Sequence, residues 1–397
     1  MEIILNNNSA SYLFYNNKDY PTRTKLNLPF SEGFRLSRLN DSTLIPEEVN
    51  YDPSLFKDKK FFNFVSDADP ASGWGNVTIG LIKSSPEYNV ALAGRMFNVN
   101  ESLLSMAQKR ELNQAGAAIW HEQPKGSWMF SPFKKNIGIV PFETTLVPPS
   151  WIPRINKFDA LFVPCKQNVQ AFRDSGVTVP IEVIHWGVDP SIYHELQRPE
   201  RNVFTFGIMG SLSVRKGIDV LIKAFKEEFG ENEPVRLICK TSNYVYTFGA
   251  KDKRIKEMLG PSTYDELMNE FFKQIDCFVF PTRGEGFGLP PLEAMATGVP
   301  AIVTGWSGPE EYMNNEVGWT IDSHLVNATA FTKEVYKEEC GQWAEPSVEH
   351  LRKHLREAFE NQARTREMGK KAAEYVRQNW TWEKQVPLFH EALKRHL

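Results

Sequence analysis

Short apolar runs alternate with helix-period stretches along this chain, and the alternation halts once and restarts. The first series runs through FFNFV (61–65), VALAG (90–94), AAIWH (117–121), NIGIVPF (136–142) and DALFVP (159–164), and closes at IEVIHWGVD (181–189). Helical patterns fall between them, over Val77–Lys83, over Glu101–Ala118 and around VQAF (169–172). A polar stretch, PSIYHELQRPERN (190–202), reads as a linker. The second series then has strands at VFTFGIMGS (203–211), VRLICK (235–240), DCFVFP (276–281) and PAIVT (300–304). Its helices are expected over Ile218–Phe229, Tyr264–Gln274 and Pro290–Thr297, and from Ser347 the chain is helical and charged. Apolar strands joined by helices make parallel sheets covered on both faces. The expected fold class is therefore α/β, two Rossmann-like doubly wound domains, with a ligand cleft at the carboxyl ends of the strands.

The 397 residues suit two such domains. They divide as 59–190 and 203–380, with a polar front segment, 1–58, read as an extension or decoration of the first domain. Within that segment EIIL (2–5) and SYLFY (11–15) read as short strands and the rest as irregular. Of the 46 basic and 49 acidic residues, 20 and 21 fall in positions 1–200, so neither half is basic. That argues against nucleic acid as a charge-bound partner. The four cysteines, Cys165, Cys239, Cys277 and Cys340, are far apart and form no CxxC, so buried thiols are expected instead of a zinc site or disulfides. No basic leader and no apolar run of about 18 residues is seen. A cytoplasmic protein without an integral membrane segment is expected, with room for peripheral membrane attachment.

Two segments carry the strongest chemistry. GSLSVRKG (210–217) runs from the end of an apolar strand through small residues to Arg215 and Lys216, then into a helix. Free amides at a helix start favour an anion, and two cations add to that. The same segment also reads as a tight turn with two exposed cations. RGEGFGLPPLEAMATGVP (283–300) sets Glu285 between glycines, where backbone can approach a ligand closely. Pro290 and Pro291 suit a first helical turn, and Glu293 falls just within it, toward a cleft or simply favouring the helix dipole. WHEQP (120–124) places His121 at a strand end, for a cleft or for the core. SGWGN (72–76) is a glycine loop that lacks the GxGxxG pattern. Asp67 and Asp69 form a DxD that chance explains, so no metal site is expected.

With these motifs in place, the sequence resembles the retaining glycosyltransferases of family 4, which have the GT-B fold. The E-x7-E pattern from Glu285 to Glu293, between DCFVFPTR and AMATGVPAIVT, carries the likeness. GWGNVTIGLI, IWHEQP, VIHWGVD, SGPEEYM (307–313, with Glu311) and WTWEKQVPLF (380–389) extend it from about Lys60 onward. His185-Trp186 and Ser211 depart from the usual forms.

The resemblance implies that Arg215 and Lys216 grip a donor diphosphate, with Gly210 and Ser211 beside them. Glu285 would meet the donor sugar, Glu293 the ribose, and the amides of Gly286, Phe287, Gly288 and Leu289 the sugar and phosphates. His121 would lie at the reacting face, so that His121, Arg215, Lys216 and Glu285 form the catalytic set. Gly73, Trp74, Gly75 and Asn76 would serve the acceptor. From the residues themselves, Glu143 is a strand-end carboxylate placed for acceptor binding, and Trp74, Asn76, Trp128 and Phe142 read equally as lining for a sugar or as core. The last helix, 381–397, would pack back on the first domain, with hinges near 190–202 and 378–382. The donor base would be read in part by loop 241–262. The implied partner is a nucleoside diphosphate sugar, with a glycan, lipid-linked or protein-linked acceptor, no cofactor and no metal. Two other readings are a transferase acting on a modified base in DNA and an inactive sugar-nucleotide-binding protein.

Overall fold

The computed structural model describes residues 61–68, 72–94, 116–124, 133–211, 213–242 and 252–397, with single positions and short strands elsewhere. Asp69, loop positions 243–251 and, of the expected helix 101–118, residues 101–111 and 113–115 lie outside the described residues, while Ala117 and Ala118 at that helix's expected end belong instead to a strand, as AAIWH itself reads. Before residue 61 the backbone forms β1 (Glu2–Ile4), β2 (Tyr12–Tyr15), β3 (Lys18–Pro21), β4 (Lys25–Asn27) and β5 (Thr43–Ile45). β4, β1 and β5 make a three-stranded antiparallel sheet, and β2 pairs with β3. Three of these five strands fall where the sequence reads as irregular. They are only three or four residues long, too short for a hydrophobic period to register.

The first parallel sheet holds β6 (Phe61–Val65), β7 (Asn89–Ala93), β8 (Ala117–His121), β9 (Lys135–Ile139), β10 (Ala160–Val163) and β11 (Ile181–Val183), in the order β11-β10-β9-β8-β6-β7. The second holds β12 (Phe204–Met209), β13 (Val235–Lys240), β14 (Ile255–Met258), β15 (Cys277–Phe280), β16 (Ala301–Thr304) and β17 (Gly318–Ile321), in the order β14-β13-β12-β15-β16-β17. Alternate residues of the first sheet serve two cores. Phe62, Phe64, Ile119 and Phe162 pack into one, and Val65, Ala118, Trp120 and Leu161 into the other. The four cysteines are buried and free.

The chain passes twice between the sheets, and the two passages pair. Val188 bridges Thr381 in parallel, with Val188 N–H donating to Trp380 O at 2.9 Å and Trp382 N–H to Val188 O at 3.2 Å. Gly187 is required there, because a Cβ would lie 2.4 Å from Trp382 N. The last helix, Trp382–His396, then lies on the first sheet's side, where the Phe389 ring meets Phe62 at 6.2 Å and Phe162 at 6.0 Å. An excursion after β17 forms a second bridge. β18 (Ser323–Asn327), the helix Thr329–Tyr336 and β19 (Gln342–Pro346) make a strap that exchanges hydrogen bonds with the 143–150 loop. Thr145 N–H donates to Gln342 O and Gln342 N–H to Thr145 Oγ1, both at 2.8 Å.

Candidate functional site

The second sheet reverses its strand order between β12 and β15, so the chains leaving those two strands diverge and open a crevice. A single turn, Val214–Lys216, follows β12, with Ser213 Oγ accepting from Arg215 N–H at 3.3 Å. Gly217 takes a left-handed φ of 67°, and a Cβ there would lie 1.8 Å from Pro281 O. Glycine thus lets the turn close onto the exit of β15. Arg283 fastens the same junction. Its N–H donates to Arg215 O at 2.7 Å, its guanidinium forks onto Asp219 at 2.9 Å twice, and it reaches Glu345 of β19 at 2.8 Å.

The exit of β15 carries Glu285, only 6% exposed. Its Oε1 accepts from Arg215 at 2.7 Å and Lys216 at 2.8 Å, with Thr282 Oγ1 at 3.1 Å. Burial pushes this carboxyl up, but the charges of Arg215 and Lys216 outweigh it and hold Glu285 below the usual carboxylate range. Burial likewise works against Arg215, where Glu285 and Glu143 more than offset it, and lowers Lys216. Gly284 and Gly286 let this loop press on the first domain. A Cβ at Gly284 would lie 2.0 Å from Glu143 O, and one at Gly286 2.2 Å from Pro141 Cβ.

Gly288, at φ 87°, starts the helix Leu289–Ala296, with Pro290 in its first turn. Glu293 on that helix is also 6% exposed. Burial raises it to about 7, with a Tyr193 hydrogen bond and Lys216 pulling the other way. Glu285 and Glu293 share one cavity of about 460 Å³ between the two sheets.

Across the cavity stands the start of the helix Gly73–Lys83, capped by Ser72 Oγ accepting from Gly75 N–H at 3.0 Å. Trp74, Asn76 and Glu143 line the cavity from this side. Asn76 Oδ1 accepts from Tyr264 of the second domain at 2.7 Å, and Tyr336 of the strap donates to Glu143 Oε2 at 3.0 Å.

Gly210, Ser211, Arg215, Lys216, Glu285, Gly286, Phe287, Gly288, Leu289 and Glu293 all line the cavity, as do Gly73, Trp74, Asn76 and Glu143. Gly75 is buried in the helix start and is not among the lining residues. His121 is not either. It lies 1% exposed beneath Trp74, rings stacked at 4.7 Å, with Nδ1 3.2 Å from Thr78 Oγ1. Burial lowers it to about 3, so it is a neutral imidazole at a strand end that points into packing. Trp128 and Phe142 are core residues, correcting their expected place in the lining. Trp128 stacks on Phe158 at 4.2 Å, and Phe142 meets Trp151 at 5.3 Å.

Glu311 joins the domains, accepting from Lys166 N–H at 2.7 Å and lying 3.1 Å from His185 Nε2, which gives the departure at His185 a structural partner. The lining also includes Trp186, noted in sequence only as a departure from the usual form, and Tyr193, Lys240 and Tyr264, which sequence reasoning did not assign to a site. Lys240, a lysine that ends a strand directly after the apolar run LIC (237–239), was the legible signal among them. Its Nζ donates to Thr241 O at 3.2 Å and to Gly260 O. Among the described residues no cluster of three metal-ligating side chains occurs, and no helix is long and apolar enough to cross a membrane.

Residues 194–337 match the family model described as glycosyl transferases group 1. An uncharacterized glycosyltransferase of Sulfolobus islandicus rod-shaped virus 1 is 24% identical over 243 residues, 47% of this chain and 68% of the viral protein. The capsular polysaccharide biosynthesis glycosyltransferase CapM of Staphylococcus aureus is 30% identical over 150 residues, 35% of this chain and 37% of CapM. Among solved structures, sucrose-phosphate synthase from Thermosynechococcus elongatus superposes with a TM-score of 0.63 at 13% identity, over 85% of this chain and 99% of that one. Anabaena HepE in complex with UDP and glucose gives 0.62 at 15%, over 85% and 100%. The fold is GT-B, and the match to the group 1 model lies in the second domain and the strap.

Proposed function

We propose that the protein is a retaining glycosyltransferase of the family 4 kind, which moves a sugar from a nucleoside diphosphate sugar to a glycan, glycolipid or glycoprotein acceptor. One observation carries this reading: Arg215, Lys216, Glu285 and Glu293 converge on a single cavity at the switch point of the second sheet. HepE, of the same fold, was solved with UDP and glucose, and the group 1 match covers the segment that bears all four residues.

In this reading the diphosphate lies against Arg215, Lys216 and the amides that open the Leu289–Ala296 helix. As the glycosidic bond breaks, negative charge grows on the leaving phosphate, and preorganised donors stabilise it there. Glu285 accepts from the donor sugar hydroxyls and Glu293 from the ribose. Glu143 and Asn76, on the opposite wall, accept from the acceptor. The acceptor hydroxyl attacks on the face the phosphate leaves, and the phosphate takes its proton. His121 does no proton transfer in this scheme, because its ring is covered by Trp74. It stacks beneath Trp74 at the cavity wall, with the rings 4.7 Å apart.

Two cations meet the charge of a diphosphate without a divalent ion, so EDTA leaves turnover unchanged. A lasting loss restored by magnesium would overturn that part. Glu285→Gln and Lys216→Ala each lower turnover by about 10²-fold or more, the scale of one lost transition-state contact. Near-normal kinetics in both variants would contradict the site.

A further inference from the structure

Two cations and a hydroxyl meet at one oxygen of Glu285. Arg215 Nη1 and Lys216 Nζ lie at 2.7 and 2.8 Å from Oε1, and Thr282 Oγ1 at 3.1 Å. The cations are themselves well covered, with side-chain exposures of 14% and 12%. Glu143 Oε1 stands 3.7 Å from Arg215. Two positive groups thus face two carboxylates, and the formal charge of the quartet is zero. The quartet offers a diphosphate no net positive charge, and the cavity's further lysine, Lys240, is already turned to Thr241 O and Gly260 O. The diphosphate reaches Lys216 and Arg215 only by taking them from a carboxylate that already holds them.

We propose that Glu285 is a specificity-determining residue: as a resident anion competing for Arg215 and Lys216, it makes the cavity favour a nucleoside diphosphate sugar over the free nucleoside diphosphate. This rests on the donor-sugar reading above. When the cations turn to a diphosphate, Glu285 loses charge-assisted hydrogen bonds, which are the stronger class. A sugar restores them, because its hydroxyls donate to the carboxylate. A free nucleoside diphosphate brings no sugar hydroxyl to that oxygen, and leaves a covered carboxylate beside new negative charge. Stripping a buried ion of its partners is strongly unfavourable. The arrangement therefore holds the donor and sheds the spent nucleotide from one and the same cradle, by a repulsive element as well as an attractive one.

The test is calorimetric titration of the full chain with inorganic pyrophosphate, UDP and UDP-glucose, comparing wild type with Glu285→Gln, Glu285→Ala, Lys216→Ala and the Glu285→Gln/Lys216→Ala double variant. The expected result is pyrophosphate and UDP binding about tenfold tighter in Glu285→Gln than in wild type, with UDP-glucose gaining less. The gain shrinks in the double variant, because Lys216 is one of the two cations the carboxylate withholds and Arg215 remains. Glu285→Ala moves the same way and keeps the comparison valid if the glutamine packs poorly. Pyrophosphate affinity equal to or weaker than wild type in both Glu285 variants, with wild type binding it, overturns the competition alone. Pyrophosphate binding absent from wild type and both Glu285 variants overturns the diphosphate reading of the cradle and the competition with it.

Discussion

Glu285 and Glu293 lie eight positions apart, are equally covered and titrate in opposite directions. The difference is in their neighbours. Glu285 faces two cations within hydrogen-bond reach, whereas Glu293 has a tyrosine hydroxyl and a more distant Lys216. Glu293, raised from 4.5 to about 7, binds a proton more tightly folded than unfolded. Stability therefore falls as pH rises from about 4.5 to 7, by about 3 kcal/mol in all. Glu293→Gln should be more stable than wild type at pH 8 and lose that advantage at pH 5, read by urea unfolding. An equal difference at both values would contradict the assigned burial. Glu285 works the other way. Its lowered titration adds stability above about pH 4.5 that is lost as pH falls. Glu285→Gln takes the hydrogen-bonded anion from two covered cations, leaving Arg215 the more distant Glu143 at 3.7 Å, and should cost about 3 kcal/mol of stability. Glu285 was legible because a carboxylate between glycines packs against nothing, and Glu293 only through its spacing from Glu285, since alone it reads as a residue favouring the helix dipole. His121 and Phe142 were not, because a strand end looks the same in sequence whether its side chain turns to a cleft or to a core.

Among the elements, alternation of short apolar runs with helical periods located nearly every strand of both sheets to within a few residues. AAIWH and VRLICK match β8 and β13 end to end. β14, β17 and the strap were not legible. β14 is partly exposed along its whole length, and β18 and β19 form a two-stranded antiparallel pair with polar and apolar residues mixed. The strap's contacts are also long-range, since Thr145 meets Gln342 across 197 residues, and no local pattern reports them. Two tests belong at this scale. Gly286→Ala would place a Cβ 2.2 Å from Pro141 and pry the Glu285 loop from the opposite wall. Turnover should drop by at least tenfold while far-ultraviolet circular dichroism is unchanged, and unaltered turnover would show that the loop need not seat there. Phe389→Ala empties a fully covered site between Phe62 and Phe162 and should cost about 3–5 kcal/mol in chemical denaturation. A loss under 1 kcal/mol would mean that the last helix is not a structural part of the first domain's core.

At the scale of the whole molecule, two parallel sheets face each other across one cavity. Among the described residues they are tied by the paired passages at Val188 and Thr381, the Glu311 contact with Lys166 and His185, the strap on the 143–150 loop, the Tyr264 hydrogen bond to Asn76 and the approach of Arg215 to Glu143. We propose that only the first acts as the hinge, since it alone is continuous chain, and that the others part when the cleft opens to admit a donor. The near-neutral charge of the chain fits this arrangement, because the only cations a diphosphate needs are local. The central claim is that the cavity holds a nucleoside diphosphate sugar on Arg215 and Lys216. The most direct measurement is the melting temperature of the wild type and of Lys216→Ala across a panel of nucleotide sugars. A donor at 100 times its dissociation constant adds about 2.7 kcal/mol to stability. The expected result is one base and sugar that raises the wild-type transition by several degrees, with the rise lost in Lys216→Ala. A flat response of the wild type to every nucleotide sugar at millimolar concentration, or an undiminished rise in Lys216→Ala, would contradict it.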